Sequence, residues 1–139
     1  MAVLGDGCTM FGIQGLWSAA RYQVPVAFVV MNNGEYRTLR ETLDAMKSRS
    51  TALGSYVGLD ITPPALDWTI AARFFGIEAV RVRTAQELGV TAASFENLDA
   101  PLPVDVPIAG HEPKNGGAPT GPLAGDAPAC RGSPSRGAT

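Results

Sequence analysis

Two glycine-marked polar breaks interrupt the apolar start of the chain: Gly5-Asp6-Gly7 after residues 2–4, and Asn32-Asn33-Gly34-Glu35 after residues 26–31. If both apolar stretches are strands joined by a crossover helix, the right-handed βαβ rule brings both breaks to one edge of a parallel sheet. Open α/β folds bind their ligands at that edge. Asp6 and Asn33, 27 positions apart (33 − 6), then stand side by side and offer a carboxylate and a carboxamide oxygen. Such donors suit a hard cation; magnesium commonly takes only one or two protein side chains and completes its octahedron with phosphate oxygens and water. Gly5 and Gly7 permit a sharp turn and close backbone approach. The amides of Gly7, Cys8 and Thr9 open the following helix, where an anion is favoured. A metal-bridged diphosphate satisfies all of these features. Taken singly, each break also reads as an ordinary turn, because Gly, Asp and Asn dominate turns; their placement after two successive strands is what points to a site.

The elements that must hold these breaks are legible in outline. Residues 9–22 carry Met10, Phe11, Ile13, Leu16, Trp17 and Ala20 close to helical spacing. Pro25 marks a turn, and residues 26–31 form a continuous apolar run of the kind found in parallel strands covered on both faces. Residues 35–46 predict an amphipathic helix with Tyr36, Leu39, Leu43 and Met46 on one face. A long link over residues 48–65 follows, and loops of that length are often functional. Asp67 is placed to cap a helix running to Phe75 and ended by Gly76. Residues 77–82 are β-rich, Thr84-Ala85-Gln86-Glu87 matches a capping box opening a helix towards Phe95, and residues 104–108 are a last strand candidate. The order β-α-β-α-α-β-α-β predicts an α/β fold, a mostly parallel sheet with helices on both faces.

With 139 residues and 45% hydrophobic content, the chain supports one domain, expected over residues 1–109. Residues 110–139 are rich in Gly, Pro and Ala and too poor in large apolar residues to offset ordering entropy, so a disordered tail is expected there. Eleven basic and 13 acidic residues without long runs give no footprint for nucleic acid or an anionic membrane. Cys8 and Cys130, 122 positions apart (130 − 8), build neither a disulfide framework nor a zinc site. No secretory leader and no apolar run of bilayer length is visible, so a soluble cytoplasmic protein is expected.

GDG, 24 intervening residues (8–31) and NN together resemble the cofactor motif of the thiamine diphosphate-dependent enzymes. The longer run GDGCTMFGIQGLWSAARYQVPVAFVVMNNGEYRTLR is similar to the decarboxylase and acetolactate synthase group, and to the benzoylformate decarboxylases most of all through LWSAARY, VVMNNGEY and Leu39-Arg40. The resemblance covers residues 3–88, with 101–108 looking like the family's final strand. It implies that Asp6 and Asn33 ligate magnesium and that Glu35 contributes its backbone carbonyl, not its side chain. Gly7, Cys8 and the amide of Tyr36 would lie against the diphosphate, and Gly34 would permit the turn. Phe11, Leu39 and Thr42 fall at pocket-lining positions, where ordinary helix core is an equal reading.

In such enzymes the cofactor carries the chemistry, adding to a 2-keto acid and accepting electrons as carbon dioxide leaves. The resemblance implies an activating glutamate on a pyrimidine-binding domain of a partner subunit, together with substrate-facing histidines, all upstream of GDG in the family pattern. The chain is therefore expected to be the magnesium-dependent cofactor-binding part of a 2-keto acid decarboxylase, shortened at its front and inactive alone. A half-site subunit of a split enzyme and an inactive gene fragment are the alternatives. Homo-oligomers are expected through apolar surface including Trp17, Phe28 and Phe75.

Three other sets of residues have bland first readings. Cys8 has no base near it in sequence, so a small residue with a free amide fits it better than a nucleophile. Trp17 and Trp68 lie in apolar helical patterns and read as core or interface. Arg37 and Arg40 read as surface charges, with a phosphate contact as the alternative.

Overall fold

The computed structural model describes residues 1–110; the tail expected at 110–139 lies, from His111 onward, outside the described residues. β1 (Ala2–Gly5) leads directly into α1 (Asp6–Phe11) and α2 (Gln14–Arg21), followed by β2 (Ala27–Asn32) and α3 (Arg37–Ala45). Then come α4 (Arg49–Leu53), α5 (Trp68–Phe74), β3 (Val80–Arg81), α6 (Ala85–Ala93), a 3-10 turn (Phe95–Asn97) and β4 (Leu102–Pro107). The four strands are all parallel, in the order β1-β2-β4-β3. This is the α/β architecture the sequence predicts.

Alternation along the strands sends successive side chains to opposite faces, and each face has its own core. On one face Val29, Val82, Val104 and Val106 cluster, with Leu88 of α6 and Phe95 packed against them. On the other, Leu16 of α2, Ala72 of α5 and Ile77 cluster, joined by Ile13, Phe28 and Phe75. Burying one such aliphatic side chain contributes about 1.5–3 kcal/mol, so this two-faced core is what fixes the strand ends. Trp68 is core at 3% exposure, whereas Trp17 is 55% exposed. Phe28 and Phe75, expected on the surface, instead pack against the second cluster.

Local chemistry moved several boundaries. The single helix expected over residues 9–22 starts three residues earlier, at Asp6, and is divided into α1 and α2 at Gly12-Ile13. Glycine is a weak helix former, and Gly12 closes α1 with its N–H on the Thr9 carbonyl at 3.2 Å. α3 begins at Arg37, two residues later than expected, because Gly34 is left-handed (φ +72) and the Tyr36 amide turns away to the Leu59 carbonyl at 2.8 Å. The link at 48–65 contains α4, capped by Ser48, whose side chain accepts from the Thr51 amide, and closed by left-handed Gly54.

Both predicted caps are present, one with a shift. The Asp67 side chain accepts from the amides of Thr69 and Ile70 at 2.9 and 3.1 Å at the head of α5. Thr84 accepts from the Glu87 amide at 3.1 Å, while Glu87 returns to the Arg83 amide, one residue before the cap, at 2.7 Å. The β-rich stretch 77–82 keeps only Val80–Arg81 as strand, and the last strand starts at Leu102, earlier than expected.

Candidate functional site

β1 and β2 pair in a register that sets Gly5 opposite Met31, so Asp6 and the Asn32-Asn33 pair leave the sheet at the same edge. Asp6 is 2% exposed. Its Oδ1 accepts from the Gly7 amide at 2.8 Å and its Oδ2 from the Gly34 amide at 2.6 Å. One carboxylate thus ties the two breaks together. Among the described residues Asp6 makes no salt bridge. A carboxylate removed from water without a basic partner is costly, even with hydrogen bonds to amides. The edge therefore presents a buried carboxylate with no basic partner among the described residues.

Asn33 is half-buried, and its Oδ1 accepts from the Glu35 amide at 3.1 Å, forming the side-chain-to-backbone turn typical of asparagine. Thr9 is buried with its hydroxyl donating to the Gly5 carbonyl at 2.8 Å, and Cys8 is exposed as a free thiol. A side chain at Gly7 would displace the Tyr36 ring, since a Cβ there would lie 2.5 Å from its Cε1. The Tyr36 ring thus lies over the first break, and its amide, expected to face an anion, is bound to the Leu59 carbonyl.

Glu35 is buried, and its Oε2 lies 3.2 Å from Arg40 Nε. Arg40 also pairs with Asp60 and stacks over the Tyr56 ring at 4.7 Å, so it is a structural clamp and not the surface charge expected. The Glu35 contact is an ion pair without hydrogen-bond geometry, since Arg40 Nε is buried with no hydrogen-bond partner. Arg37 is the surface residue expected, pairing with Glu41 at 3.1 Å and reaching the Ala109 carbonyl at 3.3 Å. Phe11, 78% exposed, flanks Tyr36 with ring centroids 6.4 Å apart, while Leu39 and Thr42 are exposed on α3.

Sequence reasoning missed a buried polar group beneath the same edge. Asp105, 1% exposed in the middle of β4, takes Arg81 Nε and Nη2 on its Oδ2 at 3.0 and 2.7 Å. Its Oδ1 accepts from Asn32 Nδ2 at 3.1 Å, and the same amide donates to the Leu66 carbonyl at 3.1 Å. Arg81 Nη2 also lies 2.9 Å from Asp67 Oδ1. The hydrogen bonds that Arg81 donates to Asp105, helped by both carboxylate charges, raise the Arg81 pKa above its ordinary value against the opposing effect of burial. Burial pushes Asp67 up, but the Thr69 hydroxyl, the Ile70 amide and Arg81 outweigh it and hold the carboxyl below its ordinary value. The available signal was a lone carboxylate inside the apolar run Leu102-Pro103-Val104-Asp105-Val106.

Among the described residues no group of three or more His, Cys, Asp or Glu side chains could hold a metal, and no helix is long and apolar enough to cross a membrane. The donor set at the edge is two side-chain oxygens, Asp6 and Asn33, both hard. That set fits magnesium, whose remaining positions a diphosphate and water would fill. An all-parallel sheet whose adjacent strands end in a shared, buried carboxylate defines an α/β ligand-binding domain. Residues 1–106 match the family described as "Thiamine pyrophosphate enzyme, C-terminal TPP binding domain", and the chain belongs to it. It is 34% identical over 113 residues to benzoylformate decarboxylase of Pseudomonas aeruginosa, an alignment spanning 81% of this chain and 20% of that protein. A thiamine diphosphate-dependent 4-hydroxybenzoylformate decarboxylase of Rhodococcus jostii superposes with a TM-score of 0.70 at 32% identity, over 80% of this chain and 20% of the other. Benzoylformate decarboxylase of Polynucleobacter necessarius shares the fold, with a TM-score of 0.68 at 24% identity over 77% and 19% of the two chains. The chain spans about one fifth of the length of the curated relatives it matches.

Proposed function

We propose that the domain at residues 1–109 holds the magnesium-diphosphate end of thiamine diphosphate for a benzoylformate decarboxylase-like 2-keto acid decarboxylase. The observation that carries this reading is the Asp6 carboxylate, buried, joined by hydrogen bonds to both breaks, and paired with no basic side chain among the described residues. In this reading Asp6 and Asn33 ligate magnesium through side-chain oxygens and Glu35 through its backbone carbonyl, its side chain being engaged with Arg40. Gly5 permits close approach, and the amides of Cys8 and Thr9 face the diphosphate, whereas the Gly7 amide, expected to do so too, is taken by the Asp6 carboxylate. Gly34 sets the turn, and the Tyr36 ring borders the site from above Gly7.

When bound, the cofactor supplies the electron sink for loss of carbon dioxide from a 2-keto acid. The contribution of this chain is to bind and orient. Its Asp6 charge is pre-set by two amides, so little reorganisation accompanies metal binding. The activating carboxylate and the substrate contacts come from a pyrimidine-binding domain, in the same or a partner subunit. Exposed Phe11, Trp17 and Phe74 give apolar surface for such a domain or for a second copy. Two cysteines in no disulfide-forming pattern support a cytoplasmic location.

The test is isothermal titration of the chain with thiamine diphosphate, with and without magnesium, beside Asp6→Ala and Asp6→Asn. Magnesium-dependent heat in the unaltered chain, lost in both variants while their circular dichroism stays folded, is expected. Equal binding by folded Asp6→Ala would sink the assignment.

A further inference from the structure

The group Asn32, Asp67, Arg81 and Asp105, built around the buried Asp105, takes no part in ligation as described above, yet its side chains are joined by hydrogen bonds and ion pairs beneath the site. A buried ion pair seldom adds stability over an apolar pair of similar volume, so its presence calls for another reason, of which fixing a unique geometry is the best attested. The geometry here converges on one residue. Asp105 sits between β2 and β3, in register with Val30 on one side and Arg81 on the other. Arg81 occupies one oxygen of Asp105 with two N–H groups and thereby orients the carboxylate. The other oxygen takes the Asn32 amide, whose same nitrogen also serves the Leu66 carbonyl, so the two donor hydrogens of that side chain have one acceptor each. The Asn32 backbone carbonyl is held as well, accepting from the Ile108 amide at 2.9 Å. Asn32 is the last residue of β2, and the next peptide carries Asn33.

We infer that Asp105 and Arg81 are positioning residues of the metal site, acting through Asn32 to set the place and angle at which Asn33 presents its oxygen. This rests on the proposed magnesium site and adds the support behind it. Partners behind metal ligands typically govern metal affinity about 10–100-fold. The cluster is joined to the site through the backbone at residues 32–33.

The test uses the full chain and two double variants. Arg81→Met with Asp105→Leu removes the ion pair without leaving a buried charge, and removes the acceptor for Asn32. Arg81→Met with Asp105→Asn keeps a carboxamide oxygen to accept from Asn32. The magnesium concentration at half-saturation is measured for thiamine diphosphate binding, with thermal melts alongside. A rise of about 10-fold or more is expected in the first variant, and a return to within about 3-fold of the unaltered chain in the second. A folded first variant with an unchanged magnesium midpoint overturns the inference while leaving the site assignment intact. Should the first variant not fold, Asn32→Leu, which leaves the Arg81–Asp105 pair in place, gives the same comparison, and an unchanged midpoint there overturns it equally. Absence of magnesium-dependent binding in the unaltered, folded chain overturns both readings, and that failure is distinguished by appearing before any substitution is made.

Discussion

Gly34→Ala offers the sharpest check on how the second break is held. Gly34 has φ +72, and a Cβ there would lie 3.0 Å from Cγ2 and 3.2 Å from Oγ1 of Thr62. Thr62 has little room to withdraw, because the amides of Ile61 and Thr62 both donate to the Gly34 carbonyl, at 2.8 and 3.3 Å. The left-handed conformation costs an alanine about 1–2 kcal/mol. Crowding adds about 1–3 kcal/mol, and the lower entropy of the unfolded chain returns about 0.4–1 kcal/mol. A net loss of about 2–3 kcal/mol follows, which at a urea m-value of about 2 kcal/mol/M lowers the midpoint by about 1 M.

Two other glycines separate these contributions. Gly76 has φ +75 but nothing within 4 Å of the place a methyl would take, so Gly76→Ala carries the conformational cost alone, about 1 kcal/mol. Gly89 lies within α6 in open space, and Gly89→Ala is expected to stabilise by up to about 1 kcal/mol. Urea titration followed by fluorescence reports all three, because Trp68 is buried and changes environment on unfolding. A Gly34→Ala chain no less stable than Gly76→Ala would refute the claim that residues 61–62 press on the turn.

Two further outcomes are expected from the buried cluster. Arg81→Met leaves the Asp105 side chain, fully buried, without its cation, and a loss of about 3–5 kcal/mol is expected in thermal or urea unfolding; a loss below about 1 kcal/mol would show that the pair is not desolvated. Asp67 has a folded-state pKa below its ordinary 3.8, so its stabilising contribution is fully present above 3.8 and fades as pH falls through the lower folded value. Asp67→Asn, which retains a capping oxygen, should therefore flatten the acid limb of the melting temperature against pH, and parallel acid limbs for the two chains would contradict the assignment.

The elements that carry local, repeated signals were readable in the sequence. Residues 26–31 are apolar on both faces, as a central parallel strand must be, and Asp67 and Thr84 announce α5 and α6 by their capping chemistry. The pairing of Asp6 with the second break was readable too, because it follows from strand order and handedness. What escaped depends on contacts between distant segments. Arg40 looks like any solvent-facing helix arginine until Glu35, Asp60 and Tyr56 close around it. Asp105 acquires meaning only when Arg81, 24 positions earlier, lies in the neighbouring strand. The late start of α3 is likewise tied to a distant contact, the Tyr36 amide on the Leu59 carbonyl, whereas the split of the first helix at Gly12 is a local effect of glycine within the helical run.

The strand order β1-β2-β4-β3 has a consequence for how the domain comes into being. β2 gains a partner on one side as soon as residues 2–32 have been made, but its other side is filled only by β4, which is synthesised last of the four and enters between β2 and β3. Until residues 102–107 leave the ribosome, the free edge of β2 is a row of unpaired amides and carbonyls able to template a stray strand. Nascent chains arrested before residue 102 are therefore expected to expose this edge, and they still lack Asp105 as the acceptor for the Asn32 side chain.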